Sequence, residues 1–150
     1  MALKINKSAS VLLCVIIIPA VLGISRNDVI QRAKIWSDAK VPYNQKAYRD
    51  GYRTDCSGYV SMVWKLGSSY NTNTLSSITT SITKDSLQKG DILLRSGTHV
   101  TIFDSWVDSQ KTKYWGYEES SSKGAVYRQI PYPYFDNKTK YFPRKYNSIQ

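Results

Sequence analysis

The chain has 150 residues, among them 12 Tyr, 4 Trp and 3 Phe, and a formal charge of +10. That length suits one domain able to bury a real core. The basic residues are scattered, and no zinc-finger spacing or base-stacking motif accompanies them. The pattern excludes a nucleic-acid reader and leaves anionic wall polymers or membrane surfaces as partners. One His and 2 Cys are too few for an ordinary zinc site, so no metal and no other cofactor is expected.

Lys4 and Lys7, the apolar stretch Val11 to Leu22, and the small residues Gly23 and Ser25 read as a secretory signal peptide over residues 1–25. The apolar run is short for a bilayer span, which takes about 20 residues; an uncleaved anchor is the alternative. Cys14 lies inside this run after Leu13, not a small residue, and is expected to leave with the leader. The expected product is a secreted monomer of residues 26–150 with no stable membrane association. Cys56 is then the one thiol of the mature chain, either buried and inert, paired between chains, or reactive.

Asn27 is placed to cap a helix starting at Asp28, with Val29, Ile30, Ala33, Trp36 and Ile35 giving it an apolar face and Pro42 ending it. The polar, Tyr-rich stretch Tyr43 to Thr54 reads as a loop with a turn at Asp50-Gly51. A second helix is predicted from Asp55 to Leu66, stopped by Gly67. Residues 68–86 are dominated by Ser, Thr and Asn and read as a long surface loop with at most a helical turn. Four short strands follow, at Ile92 to Leu94, His99 to Phe103, Lys113 to Glu118 and Ala125 to Ile130. The Pro131-Tyr-Pro-Tyr tail cannot continue a central strand. Helices before strands give an α+β fold, the N-terminal helices packed on one face of an antiparallel sheet.

The run Thr54-Asp55-Cys56-Ser57-Gly58-Tyr59-Val60 puts the thiol at the first turn of a helix. Unpaired N–H groups and the helix dipole there favour a thiolate, the attacking species in thiol chemistry. Ser57-Gly58 keeps the surroundings small enough for close approach of a substrate. His99 is the only histidine; a single imidazole can take the thiol proton and later protonate a leaving amine. The ring also needs an acceptor on its other nitrogen, and Glu118 and Glu119 on a later strand offer one. Side chains alternate across a strand, so one of the two shares the face of His99. Glu118 is chosen because it stands nearer the middle of its strand; two solvated glutamates at a strand end are the alternative.

These residues, with Leu87-Gln88-Lys89-Gly90-Asp91-Ile92-Leu93-Leu94 and His99-Val100-Thr101-Ile102-Phe103, resemble the NlpC/P60 family of cell-wall peptidases from about Val41 to Ile130. The resemblance implies a papain-like fold and cleavage of peptidoglycan stem peptides, commonly between γ-D-glutamate and the following diamino acid. It implies catalytic roles for Cys56 and His99, an active-site lining role for Tyr43, and substrate-amine contacts for Asp55 and Ser57; Asp55 is also a natural helix cap. The third polar residue in that family is commonly His, Asn or Gln, where this sequence has Glu118. The Gly-Gly that usually follows the tyrosine is absent. A non-catalytic module binding wall peptides, or an amidase or transacylase of the same fold, are the other functions such a groove supports. Asn137-Lys138-Thr139 is a glycosylation sequon.

Overall fold

The computed structural model describes residues 14–16, 23–136 and 140–150. Most of the expected leader and the Asn137 sequon lie outside the described residues. Two helices pack on one face of a six-stranded antiparallel sheet, an α+β arrangement.

Helix α1, Arg26–Asp38, is capped by Ser25, whose side chain accepts from the Asp28 N–H at 3.1 Å. Asn27 therefore lies inside the helix, and the helix ends well before Pro42. Ile24 and Ser25 stand on the leader side of the expected boundary, yet Ile24 exchanges backbone hydrogen bonds with Ser148 and Gln150. Gly23 runs so close to Ser148 that a Cβ would sit 2.0 Å from its carbonyl oxygen.

The stretch read as a loop is a hairpin of β1, Asn44–Arg49, and β2, Tyr52–Thr54. Asp50 and Gly51 both have positive φ (53° and 84°), as a type I′ turn between two strands requires. Asp-Gly carried that signal, but β1 is exposed at every residue except Ala47 and lacks the alternation that marks a half-buried strand. The Trp36 indole of α1 donates to Asp50 at 2.9 Å and ties the turn to the helix.

Helix α2, Cys56–Val63, has Asp55 as its N-cap, accepting from the Gly58 N–H at 2.8 Å. It is one turn shorter than expected; Lys65, at φ 55°, takes the left-handed position ahead of Gly67. All eight residues are buried, which is what a helix wedged between sheet, hairpin and α1 requires. The space beside Gly58 is filled by the Arg53 backbone, whose carbonyl oxygen would lie 1.8 Å from a Cβ. The glycine thus admits β2 against the helix start, where the sequence had suggested room for substrate.

The expected 68–86 loop holds two 3-10 turns and one short strand, β3, Thr79–Ser81. Then come β4, Ile92–Arg95; β5, His99–Trp106; β6, Lys113–Ser120; and β7, Gly124–Pro131. The tail returns as β8, Phe142–Tyr146, giving the order β3-β8-β4-β5-β6-β7. Pro143 lies one residue beyond the β3 ladder, which pairs with Arg144 to Tyr146, and its carbonyl accepts from the Ile82 N–H at 3.1 Å, so the missing N–H falls where β3 has ended.

Val29, Trp36, Tyr59 and Val63 of the helices meet Ile92, Leu94, Ile102 and Tyr117 in the main core. The opposite face buries Leu93, Phe103, Tyr114 and Ile130 under Tyr141 and the chain around Tyr132 and Tyr134. With both faces covered, Ile92-Leu93-Leu94 is buried throughout. Gly90 (φ 88°) makes the bend into β4, and buried Asp91 holds Arg26 at 2.8 Å, pinning the start of α1 to the sheet.

Candidate active site

Cys56 opens α2 and is 8% exposed. In the first turn of a helix the backbone N–H groups have no intrahelical acceptor. Asp55 satisfies that of Gly58, so the N–H groups of Cys56 and Ser57 are left as the donors nearest the sulfur. His99 is the first residue of β5, an interior strand that packs on α2, and Cys56 and His99 line one cleft of about 350 Å³.

The His99 Nε2 atom lies 2.7 Å from Oε2 of Glu118. Its Nδ1 is therefore the ring nitrogen left for Cys56, which lines the same cleft. Burial alone would push the imidazole toward neutrality. The hydrogen bonds and charges of Cys56 and Glu118 outweigh it and raise the pKa to about 9. At neutral pH the ring holds both of its protons.

Glu118 is essentially inaccessible and its carboxylate is held on three sides. Arg128 donates to Oε1 through Nε at 2.6 Å and contacts it through Nη2, while the Tyr134 hydroxyl donates to Oε2 at 2.7 Å. Burial would raise the pKa of this carboxyl; hydrogen bonds from His99 and Tyr134, with the charges of His99 and Arg128, bring it below the ordinary value. Arg128 stands opposite Gly116 in the β6–β7 ladder, so no side chain separates it from Glu118 two residues on. The Tyr134 ring also lies against His99, centroids 5.1 Å apart. Sequence reasoning missed both partners: Arg128 depends on the β6–β7 register and Tyr134 on the return of the tail.

Glu119 is also buried, on the helix-facing side of β6 opposite Ala125. Its two carboxylate oxygens have no hydrogen-bond partner among the described residues. Burial, then the charge of Asp55, raises its pKa to about 8. Neither glutamate is solvated, and only Glu118 reaches His99.

Tyr43 lies at the mouth of the cleft and lines it on both sides of Cys56. Burial, then the charge of Cys56, raises its pKa, so its hydroxyl stays a donor. Asp55 and Ser57 border the lobe that excludes His99, but neither is free: Arg53 binds Oδ2 of Asp55 through Nε and donates to Ser57 Oγ at 3.0 Å through Nη2. That guanidinium had no signal in the sequence beyond its place two residues before Asp55.

A second cavity, about 410 Å³ beside Trp64 and Tyr146, is lined by neither cysteine nor histidine. Among the described residues no group of three or more His, Cys, Asp and Glu side chains is arranged to hold a metal ion. No described helix is long and apolar enough to cross a membrane. No protein-family model matches the chain, and no curated protein matches it.

Proposed function

We propose that the chain is a secreted cysteine peptidase of the papain-like NlpC/P60 type, cutting peptidoglycan stem peptides at the γ-D-glutamyl–diamino acid bond. The reading rests above all on one observation: the lone imidazole lies between the thiol at a helix start and a buried carboxylate 2.7 Å from its far nitrogen.

In this mechanism the Cys56 proton resides on His99, leaving a thiolate beside an imidazolium. The sulfur attacks the amide carbonyl carbon, and the oxyanion is held by the N–H groups at the start of α2 and the Tyr43 hydroxyl. Collapse of the tetrahedral species breaks the C–N bond while His99 gives its proton to the leaving amine. Water then attacks the thioester, His99 accepts the water proton, and C–S cleavage releases the acid and restores the thiolate–imidazolium pair. Glu118 keeps the ring oriented and favours its charged form. Without Lys4 and Lys7 of the leader, 19 basic and 11 acidic side chains leave a charge of +8, which favours residence on anionic wall polymers.

The test is digestion of purified peptidoglycan by residues 23–150, read by mass spectrometry. Release of fragments ending in γ-linked glutamate is expected, and Cys56→Ala should abolish it. Cleavage surviving in that variant would remove the thiol mechanism; tight binding without cleavage by the unaltered chain would make the groove a recognition module.

A further inference from the structure

The lobe of the cleft beside Cys56 that excludes His99 has a volume of about 280 Å³ and is bordered by Tyr43, Arg53, Asp55, Ser57 and Asn71. Its polar capacity can be counted atom by atom. Asp55 accepts from the Gly58 N–H through Oδ1 at 2.8 Å and from Arg53 Nε through Oδ2. Arg53 Nη2 donates to Ser57 Oγ at 3.0 Å and to the Tyr70 carbonyl at 2.8 Å. A guanidinium has five N–H donors. Three are committed, and the two on Nη1 have no acceptor among the described residues.

The lobe therefore offers a cation with spare donors, and its one carboxylate is already neutralised. A substrate ammonium would meet the Arg53 charge and would have to displace it from Asp55. A carboxylate would meet a planar donor group, with the positive end of α2 close behind it.

We propose that this lobe is a carboxylate subsite, with Arg53 as the residue that selects for it, in place of the free-amine contact the resemblance assigns to Asp55 and Ser57. The inference rests on the hydrolase reading above for the identity of its ligand. A γ-linked glutamate keeps its α-carboxyl free, and that group lies on the acyl side of the bond to be cut. Asp55 and Ser57 then act as positioning residues that hold the guanidinium, and Arg53 touches the substrate.

Two stem peptides identical except for an α-carboxylate or an α-carboxamide on the γ-linked glutamate test this with the unaltered protein. The carboxylate peptide should show a kcat/KM higher by roughly ten- to a hundredfold, the range of a hydrogen bond to a charged group. Arg53→Gln should bring the two peptides close to parity, and Arg53→Lys should keep part of the preference. Equal cleavage of both peptides by the unaltered protein would overturn the subsite, as would a preference undiminished in a folded Arg53→Gln protein. Loss of cleavage on acetylating the peptide's N-terminal amine would also overturn it, by giving the lobe to an ammonium. Should neither peptide be cleaved, the hydrolase reading fails by itself. Calorimetric binding of the same pair to the Cys56→Ala protein then decides the subsite: tighter binding of the carboxylate upholds it and equal binding removes it.

Discussion

On the face of the sheet turned away from the helices, Glu118 meets Arg128, Tyr134 and His99. On the face turned toward them, Glu119, its neighbour in the chain, meets no hydrogen-bond partner among the described residues. Both are buried, and strand alternation alone sends them to opposite sides. One carboxyl is stabilised as an anion and serves an imidazole; the other is pushed up to about 8 and stays protonated at neutral pH. Burial therefore does not fix the state of an acid. What the opposing strand and the tail supply to each face decides it.

Removing the charge on the partnered side should have the largest effect. Glu118→Gln keeps shape and a hydrogen-bonding oxygen but no longer favours the imidazolium. We expect kcat/KM near neutral pH to fall by roughly a hundredfold or more. The alkaline limb, which on this mechanism reports loss of the ring proton and is expected near the His99 pKa of about 9, should move to lower pH. A pH–rate profile checks both. A large loss of rate with an unmoved limb would reduce Glu118 to a structural part of the sheet.

On the unpartnered side the effect should appear in stability. A folded-state pKa raised to about 8 means the folded chain binds a proton that the unfolded chain has released. The associated stability is fully present below the unfolded value of about 4.5 and is lost as pH rises through about 8. Glu119→Gln removes that titration. Chemical denaturation from pH 4 to 9 should show the unaltered protein losing stability relative to the variant, by roughly 1 kcal/mol per pH unit at the steepest. Parallel curves would show that a partner for Glu119 holds it charged in solution.

The contrast also explains how much could be read in advance. The thiol at a helix start was legible because capping is local: Asp55, Cys56 and Gly58 lie within four residues. His99 stood out by being alone, and strand alternation limited its acceptor to one of two glutamates. The partners of that acceptor were not legible. Arg128 reaches Glu118 only because the β6–β7 register sets it opposite Gly116, and Tyr134 only because the tail crosses the sheet before returning as β8. The strand itself is hidden in Phe-Pro-Arg-Lys-Tyr, which contains a proline and no alternation. Likewise the hairpin ahead of Cys56 is polar because most of its first strand faces solvent. Arg53 escaped notice because its side chain doubles back onto the cap and first turn of the following helix, at Asp55 and Ser57, and is held there by the Tyr70 carbonyl from 17 residues on.

The smallest effect should come from Tyr134, and its sign separates the ring from the carboxylate. The Tyr134 hydroxyl and His99 Nε2 share the same oxygen of Glu118, each at 2.7 Å. Tyr134→Phe removes one donor and leaves the ring packed on Tyr141, centroids 4.8 Å apart, and beside His99. Loss of one hydrogen bond to a charged group should cost about 1.5 kcal/mol in thermal or chemical unfolding and a few-fold in kcat/KM. With one donor fewer, Oε2 presents more of its negative charge to the imidazole. The alkaline limb should therefore hold or rise slightly, the opposite of its movement in Glu118→Gln. A limb that falls as far as in that variant would mean that the Tyr134 hydroxyl, and not the charge of Glu118, governs the protonation of His99.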